Sequence, residues 1–507
     1  MEKSSSTKVK RKSSSKKEKL SSKKKEPTAT EKLITAAQQG NREDVIRALE
    51  EGADIEGLRD EEEIVTPLQN AACGGHTDVV VILLDAGADV EKPNKHGHQA
   101  LHLAARNNRL TTCQELLQRK AHLNAQDYQG YTPLLTASRS GHVQIVQFLL
   151  QAGALTDLQE HGGYTALSCA ARSGYHEVVD QILSNDPKSK DTADDRGYTA
   201  LHCATRSGHH LVVEALIKHQ CNRSALTNSG ETALHLAARS GYHEIVVHML
   251  NNEPKCKDVA DGRGYTALHC AARSGHNIVV EDLIKHHCNI NGLTNSGETA
   301  LILAARSGHH EIVVQILSNE PKCKDVADDR GYTALHCAAR SGKNIVVEEL
   351  IKHHCNINAS TNSGETALIL AARSGHHEIV EQILSNEPKC KDVADGRGYT
   401  ALHCAARSGH HIVVETLIKH HCNKNALTKL GETALHLAAR SGHKETMDKL
   451  IQYDIDISIK DSEGKTAQDY FTEDKENKIR KLYHENDQLQ DIPKNVTEVK
   501  SSIGDDS

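Results

Sequence analysis

The sequence predicts an all-α chain assembled from stacked helix-turn-helix units. Three observations carry this expectation: self-similarity at 33 or 34 residues, an apolar helical stripe inside each period, and a turn-forming segment between periods. Aligned on Thr-x-Leu, the chain repeats at Thr66, Gln99, Thr132, Thr165, Thr199, Thr232, Thr266, Thr299, Thr333, Thr366, Thr400, Thr433 and Thr466. From Thr165 onward the steps alternate 34 and 33, so a 67-residue cassette of two repeats recurs. Thr165, Thr232, Thr299, Thr366 and Thr433 anchor one type of repeat, and the intervening threonines anchor the other.

Within a unit, Thr266 suits an N-cap, its hydroxyl accepting an orphan backbone N–H, and the Thr-Pro steps at Thr66 and Thr132 place Pro at the tolerated first helical position. A short helix then runs to Ser274, where Gly275 stops it. Val279, Val280, Leu283 and Ile284 fall on one face of a second helix. The segment "NINGLTNSG" supplies turn chemistry before the next unit. Two antiparallel helices cannot bury their apolar faces alone, so neighbouring units must stack.

The stretch "GYTPLLTASRSGHVQIVQFLLQAGALTDLQEHG" at 130–162 resembles an ankyrin repeat, with its Thr-Pro-Leu start, Gly-His, Val/Leu-rich second helix and Gly-Ala end. The resemblance implies an ankyrin-repeat solenoid, helix-turn-helix plus β-turn units in a curved array, and a protein-binding role without catalysis. It assigns 31–65 to an N-terminal capping repeat and 66–465 to twelve repeats, with near-identical pairs over 162–431, while Ser/Lys low-complexity composition makes 1–30 a disordered tail. A C-terminal cap at 466–486 and a disordered tail at 487–507 complete the division. Two departures lie after the second helix: one repeat type carries "NEPKCKD" with one extra residue, the other "HHC".

Composition agrees with a repeat array. A chain of 507 residues exceeds one core, and with no Trp and two Phe its cores must be built from Ala, Leu, Ile and Val. No N-terminal apolar segment reads as a signal peptide and no apolar run is long enough to span a bilayer, so a soluble cytoplasmic or nuclear protein is expected. Its 14 Cys contain no CxxC pair and read as reduced thiols. Residues 1–30 hold ten Lys and one Arg against three Glu, a net of +8, which leaves −15 for the remainder of a chain whose formal charge is −7. In that tail Lys8, Lys10, Arg11, Lys12 and the later cluster Lys23, Lys24, Lys25 resemble a bipartite nuclear-import signal, the bland alternative being solvation or weak nucleic-acid contact.

The repeated string "GYTALHCAARSG" offers Tyr, His, Cys and Arg as candidate chemistry. Gln69, Leu135, Ser168, Ile302 and Ile369 occupy the His269 position elsewhere, and a site that accepts isoleucine transfers no protons. The resemblance gives this His structural hydrogen bonds. Cys270 alternates with Leu103, Leu236, Leu303, Leu370 and Leu437 and so behaves as a small hydrophobe. "HHEIVV" at 309–314 lacks the second His at i+4 of a zinc-protease helix, because that place is Val314. The "KHHC" triplets ending at Cys288, Cys355 and Cys422 sit two repeats apart and offer no convergent ligand set. No catalytic residue, metal or cofactor is expected, nor a small-molecule substrate, although an enzyme using the repeated His, Cys and Arg stands as the alternative from another class.

Surface positions carry the remaining signal. The residue before the anchor alternates Tyr and Glu after Tyr131 and Tyr164: Tyr198, Glu231, Tyr265, Glu298, Tyr332, Glu365, Tyr399, Glu432. The residue seven beyond the anchor is Arg in eleven successive repeats, among them Arg106, Arg139, Arg172, Arg206, Arg273, Arg340 and Arg407. Both are expected on the binding side, Tyr and Arg being enriched at interface hot spots. The competing reading is structural, with each Arg bridging to a Glu of the next repeat. A surface recurring every 67 residues cannot set one register for a small partner, so distinctive recognition is expected in the divergent turns at Asn94, His96, His98, Asp127, Tyr128 and Tyr131, the uniform part serving as spacer, spring or multivalent track. The expected function is a monomeric protein-binding scaffold or adaptor without membrane insertion; a substrate receptor for ubiquitin transfer or a membrane-skeleton adaptor is the alternative.

Overall fold

A computed structural model describes residues 27–57 and 65–470. The import candidates Lys8 to Lys25, most of the C-terminal cap and the tail beyond it lie outside the described residues. Those residues are helical throughout apart from turns and one isolated bridge, Ser360 with Thr366. The chain divides into two compact units, one ending at Ala166 and the other beginning at Leu167.

The first unit opens with helices Ala29–Gln39 and Arg42–Glu50, followed by Pro67–Gly74 with Thr77–Asp85, Ala100–Arg106 with Leu110–Gln118, and Pro133–Ser140 with Val143–Gln151. The opening helix starts just ahead of the boundary drawn at Glu31 from composition, because Thr28 and Glu31 close a capping box around it. First helices pack on first helices of the next repeat, and second on second.

The second unit repeats the same pairs from His176–Asn185 to Lys444–Gln452, ending in the short Ala467–Tyr470. Its first helices approach closely because the shared face is small: in Ala267–Ser274 the buried set is Ala267, Leu268, His269, Cys270, Ala271 and Ala272. The second helix Asn277–Lys285 buries Val279, Val280 and Leu283, while Ile284 lies at the edge of the stripe, half-exposed. Fully burying such a side chain contributes about 1.5–3 kcal/mol, and the same positions are filled in every cassette.

The two departures from the repeat pattern now have shapes. After "NEP" a 3-10 turn forms, as at Pro254–Asp258, Pro321–Asp325 and Pro388–Asp392, burying Cys256, Cys323 and Cys390. Its last two residues reach the following repeat: Lys324 Nζ donates to the His353 carbonyl at 3.3 Å, and Asp325 accepts from the Asn356 amide at 2.7 Å. Where the other type reads "HHC", the second His takes the left-handed place that Gly87 and Gly153 fill in the first unit; His287, His354 and His421 have φ of 57°, 55° and 58°. Turn tips of successive repeats are tied by backbone bonds such as Asn228 N–H to the Arg196 carbonyl, 2.9 Å, and Asn295 N–H to the Arg263 carbonyl, 2.9 Å.

Candidate binding surface

Where a repeat starts Thr-x-x-His, that start is a closed hydrogen-bond unit. Thr266 N–H donates to His269 Nδ1 at 3.2 Å, so Nδ1 carries no proton, and Nε2 must donate to the Gly292 carbonyl 3.0 Å away in the next repeat. The Thr266 hydroxyl also faces the same Nδ1, at 2.9 Å. Thr266 is thus the expected N-cap, closed into a capping box by the His three residues on, and the Thr333 and Thr433 hydroxyls likewise accept from the His336 and His436 N–H at 3.5 and 3.4 Å. Where the His is absent the hydroxyl caps the backbone as expected: Thr132, Thr299 and Thr366 accept from Leu135, Ile302 and Ile369 N–H. Burial pulls the rings of His102, His202, His235, His269, His336 and His403 below the ordinary value of 6.5. Burial likewise pushes the Cys270 thiol up to about 11 and Cys203 to about 12, the opposite of what a nucleophile needs. Among the described residues all cysteines but Cys73 are buried free thiols, no group of three or more His, Cys, Asp or Glu is arranged to hold a metal, and no helix is long and apolar enough to cross a membrane.

The residue before the anchor and the Arg seven beyond it, eight apart in sequence, meet within one repeat. In Glu-type repeats they form ion pairs: Arg239 with Glu231, Arg306 with Glu298, Arg373 with Glu365 and Arg440 with Glu432. The partner is therefore in the same repeat and not in the next, as the structural reading had it. These carboxylates are buried, Glu298 being 5% exposed, and Glu231, Glu298 and Glu365 are oriented from behind by a serine, as Ser296 Oγ donates to Glu298 Oε2 at 3.1 Å. Burial alone would raise the Glu231 carboxyl; the bonds from Arg239 and Ser229 hold it below its ordinary value.

In Tyr-type repeats the same Arg lies over the tyrosine ring: Arg206 on Tyr198 at 5.9 Å from the centroid, Arg340 on Tyr332 at 6.0 Å and Arg407 on Tyr399 at 5.9 Å. Arg139 does so on Tyr131 at 5.5 Å, with Nη1 donating to the phenol oxygen at 3.1 Å. The tyrosines, Tyr164 and Tyr265 among them, are half-buried and stand edge-on to the next His where one follows, as Tyr265 does to His269 at 5.9 Å. Arg106, Arg139, Arg172, Arg206, Arg273, Arg340 and Arg407 are exposed.

The divergent turns separate into two groups. Asn94 and Asp127 are only 7% and 6% exposed. Asn94 Oδ1 accepts from the His96 and His98 amides, and Asp127 Oδ1 from those of Gln129 and Tyr131. Their acceptors are consumed by the turn backbone, which corrects their placement as display positions. His98 is half-buried against Asp127 Oδ2 at 3.0 Å, its ring held below 6.5 mainly by burial. His96 and Tyr128 remain outward, Tyr128 at 63% exposure.

Sequence reasoning missed one set of residues. Arg196, Arg263, Arg330 and Arg397 stand at the tips of the Tyr-type turns, exposed, with Arg330 and Arg397 5.6 and 5.1 Å from the centroids of Tyr332 and Tyr399. The signal was present as "RGY" in each such unit. Asp261 and its equivalents hold these tips by accepting from residues two and four further on, as Asp261 does from Arg263 and Tyr265 N–H.

Stacked helix pairs with tied turn tips define a helical repeat protein. A family model for ankyrin repeats matches residues 33–127, 125–192, 182–258, 248–326, 313–393 and 386–461 in successive overlapping segments. The chain belongs to the ankyrin-repeat family. It is also similar to the RelA-associated inhibitor of Mus musculus, 38% identical over 93 residues, which are 18% of this chain and 11% of that protein. This chain thus spans only about a tenth of that relative's length.

Proposed function

We propose that this chain is a non-enzymatic scaffold that binds proteins through its turn tips and the exposed ends of its first helices, working in the cytoplasm or nucleus. The observation that carries the reading is the half-buried tyrosines with an exposed arginine over the ring, Tyr131 in the first unit and Tyr198, Tyr332 and Tyr399 in the second, an amphipathic display with the residue types of interface hot spots. Recognition of a particular partner is assigned to the first unit, whose tips His96 and Tyr128 occur once. The relative's name, an associated inhibitor, speaks for the same general class. The basic clusters at Lys8 to Lys12 and Lys23 to Lys25 are proposed to direct nuclear import, and a reporter carrying residues 1–30 that stayed cytosolic would remove that part.

The test is proximity labelling with the full chain against its Tyr128→Ala/Arg139→Ala variant. A defined set of proteins is expected with the wild type and should be lost in the variant, while the far-UV spectrum is unchanged. A wild-type chain that labels nothing beyond a tag control overturns the scaffold reading. Removing one 67-residue cassette should leave the affinity of a partner bound at the first unit unchanged.

A further inference from the structure

Arg239, Arg263 and Arg273 come together with Tyr265 and Cys270 around a cavity of about 320 Å³, and Arg373, Arg397 and Arg407 with Tyr399 and Cys404 around one of about 340 Å³. The two sets occupy equivalent places two cassettes apart. Each opens where a Glu-type repeat meets the following Tyr-type repeat, so guanidinium groups from two repeats converge. In the first cavity, three guanidinium groups face two carboxylates. Glu231 is engaged by Arg239, and Asp261 turns one oxygen to the backbone of its own loop. Among the described residues neither Arg263 nor Arg273 has an acidic side chain within ion-pair distance. Each cavity so keeps about one unmatched positive charge, set in a chain body that is otherwise acidic.

An arginine lying on a ring presents its N–H edge outward, the geometry that takes a carboxylate bidentately. One surplus charge matches a monovalent carboxylate better than a phosphate dianion. Spacing sets the form of the ligand. The two cavities lie four repeats apart, and the Tyr-type repeats with the same exposed arginine recur every two repeats, on the order of 20 Å if neighbouring helices pack at about 10 Å. An extended peptide advances about 3.3 Å per residue and covers that distance in about six. A nucleic-acid strand places charge far more densely and would meet the acidic body between cavities.

We propose that the second unit is a multivalent track for an extended acidic peptide, each Tyr-type repeat receiving one Asp or Glu side chain at Arg206, Arg273, Arg340 or Arg407, with acidic residues recurring about every six positions. This rests on the scaffold reading and gives its partner a chemistry. A single site is weak, and affinity arises from linking several.

The experiment is fluorescence anisotropy with the full chain and two labelled peptides of identical composition, one with Glu at every sixth position and one with the same Glu bunched at one end. The spaced peptide is expected to bind roughly tenfold or more tightly. The Arg206→Gln/Arg273→Gln/Arg340→Gln/Arg407→Gln variant should lose that preference while keeping its thermal midpoint, and Arg273→Gln alone should weaken binding severalfold. Equal binding of the two peptides, an unchanged variant, or equally tight binding of single-stranded RNA would each overturn the proposal. If the chain still labelled defined proteins while ignoring spacing, the scaffold reading would stand and this one would fall.

Discussion

Glu-type and Tyr-type repeats share the backbone of their first helix and an arginine at the same place, yet treat that arginine in opposite ways. Beside Glu298, Arg306 is neutralised by a buried carboxylate; over Tyr332, Arg340 keeps its charge and offers it to solvent. The difference teaches that one residue before the anchor decides whether the position is structural or available. It also teaches that conservation of the arginine within this chain has two causes, one for each partner.

Acid should break the comparison most strongly. Every Tyr-type repeat from Thr199 to Thr400 carries the buried His, whereas Ile302 and Ile369 replace it in two Glu-type repeats. Burial holds the folded rings below 6.5, so the unfolded chain binds more protons once pH drops under that value. Stability is therefore full above about pH 6.5 and is lost as pH falls through it. The urea midpoint should drop between pH 7.5 and 5.5, and the amides of Thr266, Thr333 and Thr400, which donate to those rings, should lose protection against hydrogen exchange relative to their intrinsic rates. A flat midpoint over that interval would contradict the neutral tautomer assigned to these rings.

A second contrast is between Glu298→Gln and Arg340→Gln. The first removes the charge from a buried, serine-oriented carboxylate and should destabilise by about 1–2 kcal/mol. The second removes a solvent-facing group and should lie within about 0.5 kcal/mol of wild type. Equal losses in denaturant titrations would erase the distinction between the repeat types. Next in size is Lys324→Ala, which removes a cation from the carbonyl end of the following helix and should destabilise by about 0.3–1 kcal/mol, the loss shrinking at high salt. The smallest effect is expected from His354→Gly. Relief of about 1–2 kcal/mol of left-handed strain is largely offset by the extra chain entropy of glycine, leaving a few tenths of a kcal/mol of stabilisation in the same titration.

Much of this was legible in the residues because the period and the helix stripes are local patterns. The 33 and 34 steps located the helix pairs from Thr66 onward, and Ile302 in place of His269 already argued for a structural role at that position. What escaped were choices between competing hydrogen-bond partners. Thr266 reads as a cap, but only coordinates close it with an imidazole, placing His269 Nδ1 at 2.9 Å. Asn94 and Asp127 looked like display residues because polar turn residues usually face solvent, but their own loops claim their oxygens. The Arg306–Glu298 pair escaped because the turn brings residues eight apart together across the start of the helix, a spacing that no simple periodicity signals.

The 3-10 turn at Pro321–Asp325 has a consequence for how such an array changes length. Its lysine and aspartate bind the repeat that follows, so this Glu-type repeat is latched to the Tyr-type repeat after it. Gain or loss of two repeats carries every such latch along with its receptor. Gain or loss of one would set like against like and seat the lysine against a helix end of the other repeat type. The quantum of growth for this chain is thus the pair, and its length should vary in steps of 67 residues.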